Sequence, residues 1–136
     1  MGLKERRAIK AFEEGDYKKL VSQIQEVAAK QLDVEVDWED LAVEDMDHLY
    51  ETALPKVYFQ PVIMALEKIC FDEMGKEALA GGLDKIVIQN KKDSHLVEGW
   101  AELENKVLTL DIKPFTNIDY ISERAEALQA TLEKNL

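Results

Sequence analysis

From Tyr17 to Leu32 the apolar residues Tyr17, Leu20, Val21, Ile24, Val27, Ala28 and Leu32 recur at spacings of three and four. That is one stripe of an amphipathic helix. At Asp33 the period falls to two: Val34, Val36 and Trp38 alternate with Asp33, Glu35, Asp37 and Glu39, the pattern of a short half-buried strand. One class of element cannot satisfy both periods, so the chain must combine helices with at least one sheet.

Helical and extended patterns continue on both sides of this segment. Leu3, Ile9 and Phe12 form an earlier helical stripe that breaks at Gly15-Asp16, where Asp16 is placed to cap the second helix. Residues 44–53 are again helical in pattern, with Glu44 and Asp45 set against the positive end of the helix dipole. Pro55 to Met74 is the most apolar stretch and predicts a central helix, which Pro61 either opens or kinks. Gly75 and Gly81-Gly82 are the expected stops. Lys85–Asn90 alternates and is β-branched, hence a strand. Residues 97–104 and 107–113 read as a hairpin around Asn105-Lys106. A two-residue turn there pairs Leu103 with Leu108 and Ala101 with Leu110 on one face, and Glu104 with Val107, Glu102 with Thr109 and Trp100 with Asp111 on the other. Pro114 ends the strand. Asn117 or Thr116 then caps a last helix bearing Ile118, Ile121, Ala125, Leu128 and Leu132. The expectation is an α+β fold in one domain, residues 1–136. It has a helical N-terminal half, a three-stranded antiparallel meander with residues 34–38 as a candidate fourth strand, helices on one face, and a C-terminal helix.

Charge narrows the classes of partner. Seventeen Lys and Arg oppose 28 Asp and Glu, a formal net charge of −11, which disfavours binding to nucleic-acid phosphates and to anionic membranes. Nine of the acids lie between Asp33 and Glu51, a stretch with no Lys or Arg. A single cysteine permits neither an internal disulfide nor a cysteine-based zinc site and fits a reducing cytoplasm. No apolar run approaches the roughly 18 residues of a membrane span, and no signal-peptide stretch opens the chain.

Counted from Asp33, the acidic stretch places Glu35, Asp37 and Glu44 at three further positions of a calcium loop, but Trp38 stands where that loop turns on glycine. It reads better as a solvated or partner-binding acidic face. Glu44, His48 and Glu51 share a face if residues 44–53 are helical, an imidazole flanked by carboxylates that suits Zn²⁺ or Fe²⁺. No second Glu-x-x-His unit accompanies it, and His95 lies apart in a loop. Cys70, between Ile69 and Phe71 and followed by Asp72-Glu73, is expected in the core rather than as a nucleophile. No nucleophile elbow or phosphate-binding loop occurs. Lys4, Arg6, Arg7 and Lys10 make a helix patch offset by neighbouring acids. Trp100 falls on the less covered face of the hairpin. It is either an interface anchor or covered by the N-terminal helix or the acidic strand.

The leading expectation is a cytoplasmic, non-enzymatic interaction protein without a cofactor, inhibitor- or immunity-like or an adaptor. Asp33, Glu35, Asp37, Trp38, Glu39, Asp40 and Trp100 would meet a basic protein partner. The alternative is a small enzyme or metal-binding protein built on Glu44, His48 and Glu51.

Overall fold

Helical and extended segments alternate in a way that sets a four-stranded sheet against a layer of helices. The structure, a computed structural model, describes residues 1–136. Helices α1 (Leu3–Glu14) and α2 (Asp16–Ala28) lead into β1 (Asp33–Val36) and a single turn, α3 (Trp38–Leu41). A 3-10 turn (Asp47–Leu49) then opens a long helical run made of α4 (Tyr50–Leu54), a π-turn (Pro55–Phe59) and α5 (Gln60–Ile69). After α6 (Glu73–Gly82) come β2 (Lys85–Gln89), β3 (Ala101–Glu104), β4 (Val107–Asp111) and α7 (Ile121–Asn135).

The class is α+β, but the expected antiparallel meander is replaced by a mixed sheet in the order β1-β2-β4-β3. β1 pairs with β2, and β2 with β4, in parallel; only β3 and β4 are antiparallel. The hairpin register is as expected, with Leu103 opposite Leu108 and Ala101 opposite Leu110. Asn105 and Lys106 both take positive φ (52° and 66°), as a tight twisted hairpin turn requires. What places β3 beyond β4 is the connection 90–100, and Asp111 pins it. This carboxylate, 4% exposed, accepts the amides of Lys91 and Lys92 (3.0 and 3.1 Å) and the side-chain nitrogen of Gln89 (2.9 Å). The chain is thereby carried across the end of β4 to its far side.

Alternation decides which face is covered. Ile86, Ile88, Leu108 and Leu110 are fully buried beneath the helices, whereas their neighbours Lys85, Val87, Gln89, Val107 and Thr109 are only half-buried on the opposite, uncovered face. α5 runs between α2 and α7 and contributes Val62, Leu66 and Ala65 to a core of 28 residues. Burial of a side chain the size of Val62 or Leu66 stabilises the fold by about 1.5–3 kcal/mol. Pro61 stands in the first turn of α5, the opening position expected of it, although the helical run itself begins earlier. The preceding π-turn, closed by the Gln60 amide on the Pro55 carbonyl, widens the helix where the proline ring and its missing donor would otherwise conflict with it.

Several local expectations are corrected. The central helix ends at Ile69, so Phe71 and Met74 are 80% exposed. Gly75 is no stop: it lies in the first turn of α6, capped by Asp72, where a Cβ would stand 1.6 Å from the Ile69 carbonyl oxygen. Gly15, not Asp16, is the capping position of α2. Neither Asn117 nor Thr116 caps α7, whose N-cap is Tyr120.

Candidate functional site at the acidic edge of the sheet

β1 is an edge strand with unlike faces. Val34 and Val36 turn toward the helices and are half-buried, while Asp33 and Glu35 are exposed on the uncovered face. Parallel pairing brings Lys85 beside Glu35, Nζ to Oε2 2.9 Å. The strand stops at Val36, two residues earlier than its alternation suggests. Asp37 folds back to cap the next turn, its Oδ1 accepting the Asp40 amide at 3.3 Å. Trp38 therefore opens α3 instead of continuing the strand. Its ring sits edge-on against Tyr17 (5.1 Å between centroids) and Phe12 (5.9 Å), geometry that aromatic quadrupoles favour.

The acids of this edge are partly neutralised from elsewhere in the chain. Lys91 reaches back to Asp37 at 2.5 Å and Asp40 at 2.8 Å, and Asp40 also accepts the Asn90 amide. The hydrogen bond from Lys91 holds the Asp37 carboxyl below the usual carboxylate range, and the two carboxylates together raise the lysine. Asp33 and Glu39 have no such partner. Glu35, Val36, Asp37, Trp38 and Glu39 line an open depression of about 540 Å³ with Val87 and Gln89 of β2. Four of the seven residues expected at a partner site thus share one hollow, with Asp33 and Asp40 along the same edge. The hollow offers a carboxylate rim, an indole and a half-buried valine, a combination suited to an aliphatic chain with a cationic head.

Trp100 does not join them. It is 1% exposed, and its indole nitrogen donates to the Arg124 carbonyl at 3.1 Å. The paired ladder ends at Ala101, although the Asp111 amide still donates to the Trp100 carbonyl at 2.8 Å. Before it, Gly99 takes φ +76° and the Trp100 amide closes a turn on Val97, so the side chain leaves the strand's alternation and enters the core.

The metal grouping dissolves for a similar reason. The helical run begins at Asp47, not at residue 44: Glu44 lies in a turn with Asp45 at φ 64°, outside the run that carries His48 and Glu51, so the three do not share a helix face. No three His, Cys, Asp or Glu side chains converge in a way that could hold a metal ion. Asp45 and Asp47 instead receive Lys4 at 2.7 and 3.8 Å. Cys70 is buried at the end of α5, and burial pushes its thiol up, opposite to what a nucleophile needs.

Lys85, Lys91, Val87 and Gln89 were not singled out from sequence. Their only signal is spacing: once residues 33–36 pair in parallel with 85–88, Lys85 and Lys91 fall beside the acids. No helix of the chain is long and apolar enough to cross a membrane. Against protein-family models, curated proteins and solved structures, the chain finds no match.

Proposed function

We propose that the chain is a non-enzymatic, cytoplasmic interaction protein, an inhibitor, immunity-like protein or adaptor, whose acidic sheet edge receives a basic protein partner. One observation carries this reading. Five carboxylates (Asp33, Glu35, Asp37, Glu39 and Asp40) face only two lysines (Lys85 and Lys91) around an open hollow that also presents Trp38. Uncompensated like charge opposes the compact state, and a concentrated negative field accelerates capture of a cationic surface while excluding acidic ones. The indole supplies apolar contact that charge alone does not. The unpaired cysteine accords with a reducing compartment.

The test is affinity capture from cell lysate at low and high salt. Association kinetics of the captured protein are then measured with the wild type and with the variant Asp33→Asn/Glu35→Gln/Glu39→Gln. The wild-type on-rate should fall steeply with ionic strength, and the variant should associate about tenfold more slowly with a flatter salt dependence. An unchanged on-rate, or a contact surface wholly outside this edge, overturns the reading.

A further inference from the structure

We propose that the outer edge of β1 is a strand acceptor: the basic partner docks by laying an extended segment, cationic at every second residue, alongside Asp33–Val36. This rests on the acidic edge being the partner site and adds the form in which the partner arrives.

The main-chain arrangement comes first. In the parallel ladder the Asp33 amide donates to the Asp84 carbonyl (3.1 Å) and the Asp37 amide to the Ile88 carbonyl (2.9 Å), so the odd-numbered residues of β1 bond inward to β2. Val34 and Val36 therefore direct their N–H and C=O groups away from the sheet, and no hydrogen bond within the molecule uses them. Two donors and two acceptors at strand spacing form the template that extended peptides use when they add to a sheet.

Side-chain alternation then selects the guest. A strand laid against β1 sets every second side chain beside Asp33 and Glu35 on the uncovered face, and the others beside the half-buried Val34 and Val36. Lysine or arginine suits the first set and small apolar residues the second. Past Val36 the guest meets the hollow beside Trp38 and Glu39. A second copy of the chain is a poor guest, because its own Asp33 and Glu35 would lie against the same charges. The opposite edge of the sheet is less suited. There Thr131 Oγ1 already donates to the outward Ala101 carbonyl at 3.5 Å. Glu102 and Glu104 share the groove between β3 and α7 with Lys134, and Glu102 is paired with Lys92.

The experiment uses the full chain, labelled with ¹⁵N, and the capped peptide Lys-Val-Lys-Thr-Lys-Val-Lys. Two companions carry backbone N-methyl groups, one on the lysines and one on the residues between them, and a third replaces each lysine by glutamate. In a strand, alternate amides point to opposite sides, so only one N-methylated companion loses its bonds to β1. The expected result is slowed amide exchange at Val34 and Val36 with the parent peptide. One N-methylated companion should bind at least tenfold more weakly while the other stays within threefold, and the glutamate peptide should not bind. Equal binding of the parent and both N-methylated peptides overturns strand addition and leaves the acidic-edge reading standing. So does protection at Ala101 and Leu103 instead, or dimerisation of the chain through β1. If the parent peptide does not bind, salt-dependent binding of a folded basic protein, cytochrome c, confines the failure to strand addition. Absence of both overturns the two readings together.

Discussion

Arg124 is a cation wholly enclosed by the fold, and no carboxylate is paired with it. It donates through Nη1 to the carbonyls of Asn117 (2.9 Å) and Tyr120 (3.2 Å) and through Nη2 to that of Thr116 (3.0 Å). Its own carbonyl receives the Trp100 indole. The guanidinium thus organises the approach to α7, where no side-chain N-cap is present. From sequence this was unreadable: an arginine amid Glu123 and Glu126 looks like solvent-facing helix, and Asn117 looks like a cap. Arg124→Met should cost about 2–4 kcal/mol, because carbonyls that had charged donors lose them. Arg124→Lys should recover only part, since an ammonium cannot span three acceptors as a planar fork does. Urea denaturation of the three proteins checks both; equal stability of Met and Lys variants would show that the fork does not matter.

At the scale of elements, legibility followed the uniqueness of the pattern. The β3–β4 register could be read because a slip of one residue would send Leu103, Leu108 and Leu110 to solvent. The place of β2 could not. Alternation in Lys85–Gln89 states which face is buried but not which strand lies beside it, and the deciding contact is the reach of Asp111 to Lys91 and Lys92. Phe71 and Met74 show the reverse failure: their apolar run predicts a buried helix, but the chain turns at Cys70 and leaves both side chains outside. At the candidate site, Glu35, Asp37, Trp38 and Glu39 were legible as an acidic alternation, whereas their lysine partners depended on the unread β1–β2 pairing. One hairpin feature is open to improvement. Lys106 holds φ 66°, a left-handed conformation that costs a side-chain-bearing residue about 1 kcal/mol or more. Lys106→Gly should therefore stabilise the protein by about 0.5–1 kcal/mol. A thermal midpoint unchanged or lowered by the substitution would count against this account.

For the whole molecule, the acids fall into two kinds. Asp37 and Asp40 are tied to Lys91, whereas Asp33, Glu39, Glu44 and Glu51 have no ion-pair partner. Removing two charges from each kind should act in opposite directions: Asp33→Asn/Glu39→Gln raises the thermal midpoint by relieving repulsion, and Asp37→Asn/Asp40→Asn lowers it. Equal shifts would mean that only net charge matters. The pH dependence follows from the same groups. Hydrogen bonds from Lys91, Lys4 and Lys30 hold Asp37, Asp45 and Asp84 below the ordinary aspartate value. A carboxyl lowered by folding contributes stability that is complete above its unfolded pKa, about 4, and is lost as pH falls through the folded value. At the other limit, burial pushes Tyr50 up to about 12 and Tyr58 well above its ordinary 10. Their contribution is complete below about pH 10 and fades as pH rises toward 12 and beyond. Thermal midpoints measured from pH 2 to 12 should form a plateau with a loss at each end. A midpoint that held steady between pH 10 and 12 would contradict the tyrosine assignment.

The partnership of Asp33 with Lys85 and of Val36 with Ile88 joins segments some fifty residues apart in the chain, whereas β3 and β4 meet across a two-residue turn. Closing a long loop costs entropy before any pairing repays it. The hairpin and the helices packed on it should therefore organise the transition state for folding, with the acidic strand arriving on the downhill side. Leu108→Ala should slow refolding, while Val34→Ala should leave the refolding rate nearly unchanged and speed unfolding, a difference that chevron analysis resolves. Comparable refolding losses for the two variants would place β1 in the nucleus instead. If β1 does arrive last, it should also be the first strand to leave. Its carboxylates and unpaired valine amides would then be exposed intermittently while the rest of the sheet stays closed, and the surface offered to a partner would be the most mobile strand of the sheet.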